Sequence, residues 1–429
     1  MSMSESNIFI LVYIALWGIT FFYYWKKKKF FGAGNLIIAS YLFYAILAFF
    51  LYNHESSVEY DKLTLFPFIY LYVLLLIFLQ PVLRYDEKCK IQLPSESIIK
   101  PFIYLYALSA IGVTPYVFSH IQEGLATIAL TSSGGDELYY ASHLGIDEEK
   151  SWSIYNVFKI VFNFFSDFGV LLFFVYAAMP NRKKSLMIMM LFAIFIKLAE
   201  ALASGYRTEL VMHALSFITA YFLFRNHFSS QTNKSLKMVL IGFVVFASFF
   251  TIAINSSRYS GKSYESSFQL LNYAGQASLQ FNSYGLDAGG IRNGDRTCNW
   301  FKRKLGFEDV PKDIDSTRNK YLYMKLNDSR FSTFVGDFTL DFGPFATAIL
   351  LPLFSLLFSL ATKKRNGIIA FHQLIIILFV MTVCVQGGMY LFYYSFDKNI
   401  RIIYILLLYL FFKWDYDYHV KQSKIKICV

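Results

Sequence analysis

The chain has 429 residues, 56% of them hydrophobic and only 16% charged, with a formal net charge of +11. A soluble globular domain carries roughly 25% charged residues, so the composition excludes an ordinary soluble enzyme. The apolar residues fall in blocks of about 17–25, the length that crosses a bilayer core, so the positive charge points to basic membrane-protein loops rather than to nucleic acid.

In chain order, the first apolar block has no basic segment before it and is followed by Lys26–Lys29. That order predicts an uncleaved first helix with its N-terminus outside. The apolar blocks predict about 11 transmembrane helices, at 7–25, 34–52, 63–83, 99–119, 155–179, 185–203, 208–224, 236–254, 342–361, 368–386 and 399–414. On the side of Lys26–Lys29, the connections 84–100, 180–184, 225–237, 362–366 and the C-terminal tail are rich in Lys and Arg. The opposite short connections hold only Lys62, Lys150, Arg207 and Lys398. The positive-inside rule then sets the N-terminus out and the C-terminus in. The expected fold is an all-α polytopic membrane protein, with one integral membrane domain over 1–429. A smaller extracytoplasmic loop is expected at 120–154 and a large one at 255–341. The Lys and Arg residues of the large loop do not oppose this orientation, because long loops translocate largely regardless of charge.

Charges that interrupt apolar surroundings mark the candidate residues. "SGYRTEL" at 204–210 forms a short outer turn, on the face where short loops avoid Lys and Arg. Arg207 there is either an arginine snorkelling at a helix start beside Glu209 or part of an anion site. Lys197 and Glu200, three residues apart, share a helix face and can pair. Asp167 falls inside the fifth block, where ionisable groups usually face a bundle interior or a wet cavity. Arg258 opens the large loop on the same side as Arg207. Two guanidinium forks at one interface suit a phosphate-rich headgroup. The large loop mixes Tyr and Trp with Asn, Gln and Asp, a mixture that suits sugars and is also normal in interfacial loops. Asp313–Asp315 ("DID") resembles a metal-binding pair but lies outside, away from nucleotide sugars. "GGIRNG" at 289–294 lacks the strand–helix context of a phosphate loop. The isolated His213 and His372 are expected to pack. Cys89, Cys298, Cys384 and Cys428 form no CxxC or zinc spacing, so neither a disulfide framework nor a metal site is indicated and no cofactor is expected.

The layout and two short motifs resemble the bacterial oligosaccharide repeat-unit polymerases, the Wzy-type O-antigen and capsular polysaccharide polymerases. The first motif is the outer turn bearing "GYR", with Tyr206 and Arg207. The second is "TFVGDFTLDFG", with Thr333, Asp337, Asp341, Phe342 and Gly343, which leads into a late helix after a large outer loop. The resemblance implies a GT-C-like, lipid-carrier-dependent glycosyltransferase in the bacterial inner membrane, with its site facing the periplasm. Its substrates would be undecaprenyl-pyrophosphate-linked oligosaccharides, and a flippase and a chain-length regulator would be partners. It implies catalytic roles for Arg207, Arg258, Asp337 and Asp341, with substrate contacts from Tyr206, Lys197, Glu200, Tyr259 and Arg330. A carboxylate could activate the acceptor hydroxyl; Asp337 and Asp341 come first, with Glu265 or Asp287 as substitutes. Asp341 also fits an N-cap of the late helix. The competing readings are an O-antigen ligase, a lipid-linked oligosaccharide flippase or other transporter, and a membrane acyltransferase.

Overall fold

A computed structural model describes residues 4–54, 60, 62–130, 154–165, 168–203, 207–259, 266–312, 314–325, 330–364, 367–391 and 398–426. The described chain is predominantly helical, and each of the eleven predicted intervals contains helix, although 63–83 and 155–179 are broken and 368–386 opens with the short strand Ile368–Ala370. Among the described residues, five helices are long and apolar enough to cross a membrane. These are α1 (Glu5–Lys28), α2 (Ala33–Tyr52), the Glu96–Gln122 part of α5 (Glu96–Leu130), the Ser230–Ile252 part of α10 (Ser230–Tyr259) and α15 (Pro344–Ala361). The pair α6 (Ile154–Phe164) and α7 (Phe168–Ala178) forms a sixth when taken as one span bent by 63°. Helices α3 (Leu65–Phe78) and α16 (Phe371–Gly387) are apolar and shorter, and the short α4 (Gln80–Arg84) follows α3.

The chain divides into two compact units. The first comprises Met1–Asp86 and Ser267–Phe411. Helices α1, α2 and α3 pack around Trp17, which is fully buried and meets the rings of Tyr41 and Tyr72. Tyr41 donates a hydrogen bond to the Cys384 carbonyl at 2.7 Å, which ties α16 to α2. Ser355 donates to the Ile77 carbonyl at 2.6 Å, which ties α15 to α3. The outward face of α15 is an apolar stripe of Phe345, Ile349, Leu353, Leu356 and Leu360, all exposed, as befits a lipid-facing helix.

From Ser267 on, the segment expected as a large loop is part of this unit and is largely helical, with α11 (Ser266–Tyr284), α12 (Asn299–Lys304), α13 (Ile314–Lys320) and α14 (Thr333–Phe342); its first residues, to Tyr259, continue α10 in the second unit. Helix α11 packs closely because Gly275 has no side chain: a Cβ there would lie 2.8 Å from the Leu47 carbonyl oxygen. Asn282 then brackets Thr64, accepting from its N–H at 3.0 Å and donating to its carbonyl at 2.7 Å. Gly343, at φ 82°, turns the chain between α14 and α15 in a conformation that glycine adopts without strain.

The second unit comprises Glu87–Ser266 and Phe412–Val429. Helix α5 packs on α6 and on α8 (Lys184–Ala203). It extends to Leu130, so the smaller loop expected from 120 begins as helix; "HIQEGLATIAL" contains no proline to stop it. Helix α7 is buried on all sides, as its unbroken apolar sequence requires. Phe173, Phe174, Phe217 and Phe224 form an aromatic core between α7 and α9 (Arg207–Phe224).

Candidate functional site

Among the described residues, a dense cluster of buried charge lies in the first unit, where the segment 289–300 meets α14. Positive φ at Gly289 (76°), Asn293 (52°) and Gly294 (77°) coils this segment tightly. The Arg292 N–H donates to the Leu340 carbonyl at 2.9 Å, which sets the segment against α14. The Arg292 side chain is 1% exposed, and its Nε donates to Asp341 Oδ1 at 2.9 Å. The Thr297 N–H donates to the other oxygen of Asp341 at 2.6 Å. Asp341 therefore does not cap the late helix, whose N-cap is Gly343; it anchors the coil.

One turn earlier on the same helix, Asp337 is 2% exposed and accepts from the Leu391 N–H at 2.7 Å. Burial pushes its carboxyl up to about 6, against the pull of Arg296 and Arg292. Asp341 is ion-paired with Arg292, while Asp337, one helical turn away, makes no ion pair among the described residues, and burial moves its carboxyl toward neutrality, as suits a general base.

A second ring of charge supports the coil. Asp295 is buried, and burial alone would push its carboxyl up. Hydrogen bonds from Lys302, Lys320 (2.8 Å) and Tyr321 (2.6 Å) outweigh burial and hold it below the usual range. Asn399 fixes the far side, donating to the Thr297 carbonyl at 3.0 Å and accepting from the Trp300 N–H at 3.1 Å.

Of the residues singled out from sequence, Asp337 and Asp341 meet here. Arg330, also in the first unit, lies 5.7 Å from the centre of the Tyr60 ring. Asp287 is exposed and paired with Lys325 at 3.1 Å. In the second unit, Lys197 is buried and donates to Asn163 at 2.9 Å and Glu200 at 2.5 Å, so it forms the expected pair on one helix face. Arg207 opens α9, and Arg258 lies one residue before the end of α10, at the same end of this antiparallel hairpin. The stacked rings of Phe217 and Phe243 set its register. By that register Arg258 lies about 8 Å further along the hairpin axis than Arg207. The side chains of Arg207, Arg258 and Tyr259 lie outside the described residues, as do Tyr206, Asp167 and Glu265. His213 and His372 are both buried. Sequence reasoning missed Arg292, Asp295, Arg296, Lys302, Lys320 and Tyr321. The available signal was a run of Arg, Asp and Gly at 289–296, with the helix-starting "CNWFKRK" one residue after it.

No family model, curated protein or solved structure matches this chain.

Proposed function

We propose that the chain is a membrane glycosyltransferase that polymerises undecaprenyl-pyrophosphate-linked oligosaccharide repeat units at the outer face of the bacterial inner membrane. The observation that carries this reading is Asp337, a buried carboxylate near Arg296 and Arg292, on the helix that leads into an apolar span. Polymerisation by transfer from a lipid pyrophosphate needs these parts. A hydroxyl of the incoming unit attacks the anomeric carbon of the growing chain, and its proton passes to the Asp337 carboxylate. The bond from the anomeric carbon to the pyrophosphate oxygen breaks, and the lipid pyrophosphate leaves with the electron pair. Cations stabilise that leaving charge most where water is excluded. Arg296 is the cation that acts most strongly on Asp337. Asp341 and Asp295 hold the coil that carries Arg292 and Arg296.

The test is reconstitution. The full chain in lipid nanodiscs is given lipid-linked repeat units extracted from a strain of the native bacterium lacking this gene. Longer glycans, with one undecaprenyl pyrophosphate released for each new linkage, are expected. Release without chain growth, or no reaction, contradicts the proposal.

A further inference from the structure

Helices α1, α4 and α15 end at one junction in the first unit, built from the segments 25–29, 83–86 and 361–364. Tyr24 donates to the Leu83 carbonyl at 3.2 Å, and its ring fills the space that a Cβ on Gly34 would need. Lys28 donates to the Tyr85 carbonyl at 3.0 Å, and Lys364 pairs with Asp86 at 2.9 Å. These two lysines tie the three helix ends together. Gln373, in the first turn of α16, donates to the Ala361 and Lys363 carbonyls at 3.2 and 2.8 Å and so fixes the third segment.

Five more cations, Lys26, Lys27, Lys29, Arg84 and Lys363, are exposed on these segments, and Asp86 is the only acid in the three. Like charges gathered this closely repel one another unless anions lie among them. The junction is also rimmed by lipid-facing surface. Phe22, Tyr23 and Trp25 are exposed in the last turns of α1, as are Leu357 and Leu360 in the last turns of α15. Tyr and Trp at the end of a span mark the level of the lipid headgroups. Lys27 lies 6.0 Å from the centre of the Tyr23 ring, so one cation of the group sits over an exposed interfacial ring. The 18 residues of α15 rise about 27 Å. They separate this junction from Asp337 and α14, which lie at the other end of that helix.

We propose that the junction is a binding site for anionic phospholipids, with the phosphates held by the five exposed cations and the acyl chains lying along the exposed faces of α1 and α15. Clusters of four to eight Lys and Arg beside a span attract anionic headgroups in this way. The exposed apolar residues on the rim favour a lipid over a free phosphate. The inference holds whether or not the chain polymerises glycans.

The test titrates phosphatidylglycerol and phosphatidylcholine, each fluorescent on an acyl chain, onto the full chain in neutral detergent. Wild type should bind phosphatidylglycerol at least tenfold more tightly. Replacing Lys26, Lys27, Arg84 and Lys363 together by Gln should remove that preference. Replacing Lys183, Lys184, Lys234 and Lys237, exposed in the second unit, should leave it intact. The preference in wild type should also fall as salt rises from about 0.1 to about 1 M, over which the screening length shrinks from about 10 to about 3 Å. That measurement needs no variant to fold. Equal affinity for the two lipids would mean that the cations serve only to orient the chain on insertion, and would overturn the proposal. Equal loss in both sets of replacements, a preference indifferent to salt, or displacement of the lipid by an equal concentration of inorganic phosphate would overturn it too.

Discussion

Asp337→Asn lowers the rate of chain extension by about 100-fold or more, the scale of a lost general base, while the protein stays at least as stable at pH 7. The stability half follows from linkage. Burial raises the folded-state pKa of Asp337 to about 6 from an ordinary value of 3.8. The folded chain therefore holds this proton more tightly than the unfolded chain does. Its contribution to stability is present below about pH 4 and is lost as pH rises through about 6, a loss of order 3 kcal/mol. Asparagine never ionises and escapes that loss. The activity half has the opposite sign: the carboxylate accepts a proton only when ionised, so extension falls as pH drops through about 6. Melting curves and initial rates across pH 4–8, for wild type and Asp337→Asn, check both halves. A variant that loses activity and stability together would mean that Asp337 is a structural group.

The second large effect is on folding. Arg292→Ala or Asp341→Ala destabilises the chain by about 3–5 kcal/mol, because each leaves a buried charge without its partner. Asp341→Ala also orphans the Thr297 N–H, which that carboxylate accepts at 2.6 Å. Arg292→Met combined with Asp341→Leu should recover most of this loss, since apolar side chains of similar volume often replace a buried ion pair without penalty. Thermal unfolding in detergent measures the single variants and the double variant. Equal melting temperatures for all three and wild type would show that the pair does not hold the coil against α14.

The helices were legible because an apolar block long enough to cross a bilayer needs no partner to declare itself. Lys197 and Glu200 were legible as a pair for a related reason, since helix geometry alone brings residues three apart together. The site was legible only in part. "TFVGDFTLDFG" drew attention to Asp337 and Asp341, yet their surroundings depend on residues far along the chain. Asp341 pairs with Arg292, 49 positions away, and Asp337 accepts from the Leu391 amide, 54 positions away. The "GGIRNG" run lacks the context of a phosphate loop, and nothing local shows that its arginine will be buried. Helix α11 went unseen because its glutamines and serines read as a polar loop. Gly275, with its close approach to Leu47, shows why the segment can pack against apolar helices despite that composition.

The most direct measurement is the surface glycan profile of the native bacterium with this gene deleted and then restored. The deleted strain should carry glycan of one repeat unit and no longer chains, with export and attachment intact, and the restored gene should return the full ladder. An unchanged ladder in the deleted strain, or the complete absence of repeat units from its surface, would contradict a polymerase.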